Sequence, residues 1–226
     1  MHNFYGGFFL SLLSLVGLLT IMYTWWRDIV RESTFEGRHT KKVQRGLLLG
    51  MLLFLATEAM FFFAFFWAFF HSCLAATIEV GYSWPPIGLI IVSPWGIPVL
   101  NTFILLLSGF TVTACHHSIS WGNKKITVIY FFITLVLANT FLWLQAFEYI
   151  NVPFVISDSV YGSSFFLTTG FHGFHVSIGM IFLFVCLVRL MVDHFTRTHH
   201  VGVECAAYYW HFVDIVWLFL FIAIYG

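Results

Sequence analysis

Six apolar stretches, each long enough to cross a lipid bilayer as a helix, dominate this sequence of 226 residues. A helix needs about 20 residues to cross a hydrocarbon core of about 30 Å. Because only 9% of the residues are charged and 60% are hydrophobic, such stretches would not stay in water. The sequence therefore predicts an all-α membrane protein with a single domain over 1–226. Its six transmembrane helices, in an antiparallel bundle, are predicted at 4–26, 46–71, 98–119, 126–148, 160–190 and 203–225.

The positive charges are distributed unevenly over the connections between these spans. All ten lysines and arginines lie in or beside the first, third and fifth connections. The second connection, 72–97, and the fourth, 149–159, contain none. Under the positive-inside rule, the odd-numbered connections are predicted to face the cytoplasm or the mitochondrial matrix. Both termini are then predicted to face the opposite compartment.

Glu58 is the one acidic residue deep inside the second span. It lies roughly twelve residues from the start of that span, near the middle of the membrane at about 1.5 Å of rise per residue. Ionisable groups at this depth are costly, so each one is a candidate functional residue. A role in proton exchange or a lipid-facing role is one interpretation of Glu58, and a passive hydrogen bond between helices is the other.

The last two spans also contain histidine and aspartate side chains that could bond between helices. His172 and His175 share a face of the fifth helix with Gly179, where a neighbouring helix could pack closely. His211 and Asp214 lie on the sixth helix, and the antiparallel arrangement brings Asp214 to the depth of His175. The sequence predicts a polar seam, defined as His172, His175, His211 and Asp214, that holds helices five and six together by hydrogen bonds.

A metal or haem site is the competing interpretation of these histidines. A haem between membrane helices needs histidines on two helices facing one cavity, and a binuclear copper site needs three converging imidazoles. The remaining histidine pairs, His116-His117 and His199-His200, lie at the ends of spans or in a connection. The prediction is that this chain has no metal ligands and no catalytic residues. A haem-binding cytochrome subunit stays as an alternative.

The first connection combines aromatic and basic residues beside the membrane. Its positive charges are explained most simply by topology. A more specific interpretation is a phospholipid site in which Arg31 and His39 donate hydrogen bonds to a phosphate group.

Several segments of this chain resemble signatures of subunit III of the haem-copper cytochrome c oxidases. The resemblance rests on the order and spacing of the segments over nearly the whole chain, and no single short motif decides it. The segments are Trp25-Trp-Arg-Asp-Ile-Val-Arg-Glu-Ser-Thr34, 58–71, Ile97-Pro-Val-Leu-Asn-Thr102, His116-His117, 156–162, Thr169-Gly-Phe-His-Gly-Phe-His175 and Tyr209-Trp-His-Phe-Val-Asp-Ile-Val-Trp217.

The resemblance implies a subunit of an oxidoreductase that has no redox centre of its own. Haem a, haem a3 and copper B would belong to the partner subunit I, and copper A to subunit II. The family's helices hold phospholipids, of the cardiolipin, phosphatidylethanolamine or phosphatidylglycerol type, in a cleft that splits the bundle. By position, Arg31, His39, Arg189 and Trp26 are similar to the lipid contacts, and Glu58 is similar to a membrane carboxylate associated with proton uptake.

The resemblance also implies a location in the cell and a difference from the family in the number of helices. The mitochondrial inner membrane is the expected location, and a bacterial plasma membrane is the alternative. Family members usually have seven helices, and this sequence starts at what resembles the second. The expectation is that a separate chain supplies the first helix or that the lipid cleft is reduced.

Two functions from different classes follow. The first is a non-catalytic oxidase subunit that stabilises subunit I, binds phospholipids and supports proton uptake during electron transfer from cytochrome c to oxygen. The second is a stand-alone proton channel or transporter built around Glu58, His175 and Asp214. The spans lack the broken half-helices in symmetric positions that are typical of transporters, which favours the first.

Overall fold

Six long helices account for most of the chain in the computed structural model, which describes residues 5–226 apart from the side chains of residues 5 and 79. Position 4, where the first span is predicted to begin, lies outside this range. All six helices are long and apolar enough to cross a membrane, so the predicted number of spans is confirmed. The helices are α1 Tyr5–Thr34, α2 Lys41–Leu74, α3 Ile97–Trp121, α4 Lys124–Asn151, α5 Val160–Met191 and α6 Val201–Leu220, which continues as the π-helix Phe221–Tyr225.

The helix ends differ from the prediction most at the first connection. The predicted connection of 27–45 shortens to 35–40, because α1 continues to Thr34 and α2 already begins at Lys41. The apolar pattern marks only the part of a helix that lies in hydrocarbon. Arginine, lysine and glutamate are good helix formers, so the helices extend beyond that part into the polar region. The basic residues Arg27 and Arg31 are therefore helical.

The chain separates into two compact units, one ending at Gly46 and the other comprising Leu47–Gly226, and each is described by itself. In the first unit, α1 is exposed along its apolar part. Its hydroxyl groups bond to their own helix, as when Ser11 donates to Gly7 O at 2.8 Å and Thr20 donates to Val16 O at 2.8 Å. This satisfies the polar side chains locally and leaves an apolar surface. The single domain and the lipid cleft stay predictions.

In the second unit, α3, α4, α5 and α6 pack as a closed ring in which each helix contacts the next and α6 returns to α3. The turn between α3 and α4 consists of Gly122 and Asn123. Gly122 has φ of 79°, which glycine adopts without strain, and Asn123 accepts a hydrogen bond from Ile126 N to cap α4. So short a turn makes α3 and α4 antiparallel neighbours, as predicted from the sequence.

Buried aromatic residues fill the ring, and their polar atoms bond to neighbouring helices. Trp210 Nε1 donates to Ser108 Oγ and Trp217 Nε1 donates to Thr102 Oγ1, both at 2.9 Å, which joins α6 to α3 at two depths. A buried indole N–H without a partner would be unfavourable, so these two bonds fix the register of the two helices.

The connection between α2 and α3 also contributes to the core. Trp84, which is partly buried, packs edge-on against Phe69 at 5.4 Å and lies 5.5 Å from Tyr161 between ring centroids. Trp95 of the same connection is exposed. The connection therefore folds back at Trp84 onto two buried rings.

Candidate functional site

Glu58 and His175 form a hydrogen-bonded pair between α2 and α5. His175 Nε2 lies 2.8 Å from Glu58 Oε2, and His175 Nδ1 lies 2.6 Å from Phe171 O. A carbonyl oxygen can only accept, so Nδ1 carries a proton. The bond between Nε2 and Oε2 then needs a second proton, which belongs either to the imidazole or to the carboxyl group. The two residues therefore share one proton.

Aromatic rings surround this pair. The His175 ring lies 4.9 Å from Phe62 and stacks at 6.4 Å on Tyr209, measured between centroids. His175 is buried, and Glu58 retains a partly exposed side chain. Because the surroundings are apolar, a charge on either partner is stabilised mainly by the other one.

His172 connects α5 to α6 through the backbone. Its Nε2 donates to Val213 O at 3.2 Å, and its ring lies 5.7 Å from Phe141 and 5.1 Å from Trp217. Its Nδ1 has no hydrogen-bond partner within residues 5–226. This is the contact of the predicted polar seam that does run between helices five and six.

His211 and Asp214 turn towards α3 instead of α5. His211 Nε2 lies 3.2 Å from Thr113 Oγ1, and His211 Nδ1 lies 3.6 Å from Asp214 Oδ2. The Asp214 carboxylate packs directly on Gly109, where any Cβ would overlap it. The polar seam is thus divided among three contacts, since His175 bonds to α2, His172 to α6, and His211 to α3. Depth along a helix was predictable from the sequence, and the direction in which each side chain points was not.

A three-residue cluster near the basic ends of the helices was missed in the sequence. His116, His200 and Glu204 each offer one ligand atom within 4.8 Å of the others, a geometry that could hold a metal ion. His200 Nδ1 donates to Thr196 O at 3.0 Å, which leaves its Nε2 facing Glu204 Oε1 at 3.6 Å. The signal was available, because the end of α3 and the start of α6 carry histidine pairs on the same predicted side of the membrane.

A second missed group lies at the other end of the ring. Tyr225 donates to Glu148 Oε1 at 2.7 Å, and the hydroxyl groups of Tyr149 and Thr169 are 2.6 Å apart. Glu148 is buried. The predicted end of the fourth span at 148 placed this carboxyl group at the membrane border, so it was not counted among the buried acids.

The predicted lipid-binding residues fall into both units. In the first unit, Trp26 and Arg31 are exposed, and His39 Nε2 lies 3.9 Å from Glu32 Oε2. In the second unit, the Arg189 guanidinium lies 4.3 Å above the ring of Phe195, a cation–π contact. Each of these groups can donate hydrogen bonds to a phosphate group, so lipid binding stays a prediction.

The structure defines a multi-pass α-helical membrane protein. It has six helices of membrane length, and acidic and imidazole side chains form hydrogen bonds between them. The family model for cytochrome c oxidase subunit III matches residues 1–226. The chain belongs to this family.

Cytochrome c oxidase subunits 3 from several organisms are similar to all or most of the chain. A cytochrome c oxidase subunit 3 of Prototheca wickerhamii is 57% identical over 225 residues, which are 100% of this chain and 86% of that protein. The protein of the same name from Arabidopsis thaliana is 57% identical over 225 residues, 100% of this chain and 85% of that protein. The one from Patiria pectinifera is 56% identical over 207 residues, 92% of this chain and 80% of that protein.

Proposed function

We propose that this chain is the non-catalytic third core subunit of a proton-pumping cytochrome c oxidase, respiratory complex IV, in the mitochondrial inner membrane. The match to the subunit III family over 1–226 carries this proposal. The complex passes electrons from cytochrome c to oxygen. The chain's own contribution is to stabilise the catalytic subunit, to bind phospholipids and to support proton uptake.

Subunits I and II are the proposed partners. Haem a, haem a3 and copper B belong to subunit I in this proposal, and copper A belongs to subunit II. His175 in the membrane interior supports this division, because both of its ring nitrogens already bond to protein oxygens. Neither of these nitrogens is free to ligate a haem iron or a copper ion.

The proton-related role belongs to Glu58. Its shared proton with His175 is the supporting observation, since a carboxyl group near mid-membrane depth that holds a proton can buffer proton supply to a neighbouring pathway. Lipid binding by Trp26, Arg31, His39 and Arg189 is proposed on the positive charge of the two arginines and on the hydrogen-bond donors that the tryptophan and histidine side chains offer. The basic connections are proposed to face the matrix, and both termini the intermembrane space.

Native mass spectrometry of the oxidase, purified through a tag on subunit I, tests the proposal. We expect this chain in the complex together with subunits I and II and bound phospholipids. Its absence from the purified oxidase would contradict the proposal.

The isolated chain is also expected to show no Soret band, and a band assignable to it would favour the alternative of a haem-binding cytochrome subunit.

A proton channel or transporter built around Glu58, His175 and Asp214 is the alternative from another class. The geometry does not favour it, because Asp214 faces α3 while His175 bonds to α2. The purified chain is expected to carry no proton flux in liposomes. Flux without other subunits would favour this alternative over the oxidase subunit.

A further inference from the structure

The end of α3 and the start of α6 bring two histidines and a glutamate together at the basic end of the helix ring. His116 lies in the last two turns of α3, whereas His200 caps the start of α6 and Glu204 lies in its first turn. His200 and Glu204 are four residues apart, so their side chains share one face of the helix. The rings of His116 and His200 meet edge-on at 5.5 Å between centroids. These three residues form the α3–α6 cluster.

His200 is held in one orientation. It is buried, and its Nδ1 donates to Thr196 O at 3.0 Å. A carbonyl oxygen can only accept, so Nδ1 carries a proton, and Nε2 of the neutral ring carries a lone pair. Histidines that bind metals are commonly oriented in this way, by a bond from the other ring nitrogen to a backbone carbonyl. His200 Nε2 is therefore presented to the cluster as a ligand atom.

Glu204 and His116 direct further lone pairs towards the same place. Glu204 Oε1 lies 3.6 Å from His200 Nε2, which is too far for a hydrogen bond. The His116 ring forms no hydrogen bond within residues 5–226. One ligand atom from each residue lies within 4.8 Å of the other two. Acceptor atoms gathered so closely repel one another unless a cation lies between them.

The donor set favours zinc among the common divalent cations. Calcium and magnesium prefer oxygen ligands, whereas two imidazoles and a carboxylate are a typical set for zinc. A tetrahedral zinc ion with bonds of about 2.0–2.1 Å holds its ligand atoms about 3.4 Å apart. His116 and Glu204 are partly exposed, so their side chains can rotate by the small amount that this spacing needs. A proton on His200 is the competing occupant, and it would bond to Glu204 without involving His116.

We propose that His116, His200 and Glu204 bind a zinc ion, which links α3 to α6 at the basic end of the ring. His200 Nε2 and Glu204 Oε1 supply two ligands from α6, and a ring nitrogen of His116 supplies the third from α3. Water completes the four ligands that zinc prefers. The proposal departs from the prediction that this chain has no metal ligands, because that prediction treated the two histidine pairs separately.

The zinc content of matched variants tests the site. The chain is purified through a tag on its own C-terminus, together with the subunits that stay bound to it. Each sample is washed with a chelator and dialysed against zinc at one fixed free concentration, and the zinc per chain is measured by plasma mass spectrometry. Each ligand histidine has a matched control beside it, since His117 and His199 lie outside the cluster.

We expect the wild type to hold about one zinc ion more per chain than either Glu204→Gln or His116→Gln. Loss of a ligand should weaken zinc binding by more than the roughly 10–100-fold that is typical for loss of an outer partner. The controls His117→Gln and His199→Gln are expected to match the wild type. Equal zinc contents in the wild type and both cluster variants would mean adventitious binding only and would overturn the inference.

Glu204→His separates the loss of a ligand from a change in the fold. It replaces one zinc ligand by another, so this variant is expected to keep the ion that Glu204→Gln loses. Loss of the ion from both variants would show that the side chain at 204 does not act as a ligand, which would overturn the inference.

A measurement on the wild type does not depend on how the variants fold. Crystals of the chain with its bound subunits are soaked in zinc, and diffraction is recorded on both sides of the zinc absorption edge. We expect an anomalous peak between His116, His200 and Glu204, and the lack of a peak there would overturn the inference. Purification through this chain's own tag makes both tests independent of the proposed function, which can fail without the zinc site and the zinc site without it.

Discussion

Glu58 and His175 hold a single proton between α2 and α5, across 2.8 Å and within a cage of aromatic rings. Helices α2 and α5 are not consecutive in the chain, and their backbones are linked here by long side chains. The pair is therefore both a contact between helices and a site of protonation. Substitutions that preserve one of these properties and remove the other can separate them.

Glu58→Gln is expected to leave assembly intact and to reduce the supply of protons. The glutamine amide can donate to His175 Nε2, so the hydrogen bond between α2 and α5 remains, but the side chain no longer exchanges a proton. We expect a slower proton uptake or a shorter turnover lifetime of the oxidase, measured by stopped-flow proton uptake and by activity over successive turnovers. Asp158→Asn serves as the control, because that carboxylate only caps a turn. Complete loss of assembly in Glu58→Gln would show that the residue is mainly a packing group.

Gly179→Leu is expected to separate α5 from α6. A Cβ at this position would lie 3.0 Å from the ring of Trp210, so a larger side chain must displace a buried indole. Overpacking of this kind destabilises a protein by about 1–3 kcal/mol. The measurement is the thermal unfolding of the purified complex. Gly173→Leu is the matched control on the same helix, since nothing lies within 4 Å of its Cβ position. Equal unfolding temperatures for the two variants would contradict the close contact.

Ser108→Ala is expected to destabilise the contact between α3 and α6 by leaving Trp210 Nε1 without an acceptor. A buried donor without a partner costs about 1–3 kcal/mol. The double variant Ser108→Ala with Trp210→Phe removes the donor as well, and part of the loss should be recovered relative to the sum of the two single changes. Denaturant unfolding of the four proteins measures this coupling. Strictly additive effects would mean that the hydrogen bond contributes nothing to stability.

Arg189→Gln is expected to reduce the number of phospholipids that remain with the purified oxidase. The change removes the charge that would bind a phosphate group and also the cation–π contact with Phe195. Lipid phosphorus per haem, determined after detergent extraction, is the measurement. Lys125→Gln removes a charge from an exposed position at the same end of the helices and should leave the count unchanged. An unaltered count in Arg189→Gln would remove this residue from the proposed lipid site.

The number and order of the helices could be predicted from the sequence. A helix that crosses a bilayer needs a long apolar run, and polar groups that interrupt the run are energetically unfavourable there. The rotation of each helix about its axis could not. Uniformly apolar helices such as α2 have no polar face to indicate direction, so the partner of Glu58 was not predictable from its own helix. The division of the polar seam has the same cause. His211 on α6 faces α3, whereas His172 on α5 bonds to the backbone of α6.

Some information in the sequence was available but not used. The indole groups of Trp210 and Trp217 had to find acceptors once both were assigned to a buried span, and α3 supplies serine and threonine at suitable depths. The His116, His200 and Glu204 cluster could likewise have been found by comparing depths across antiparallel helices. The packing of Trp84 on Phe69 and Tyr161 could not be predicted in this way. Nothing in the local sequence distinguishes a tryptophan at the surface from one that folds back onto the core.

The contact between Gly109 and the Asp214 carboxylate imposes an order on how these two positions can change over generations. Alanine at 109 while the acid is present would push the carboxylate away from His211, whereas the same alanine is harmless once a smaller residue stands at 214. The substitution at 214 must therefore come first, and alanine at 109 can follow it. The opposite order is disfavoured. The residue at position 109 can change only after the carboxylate at position 214 has been replaced.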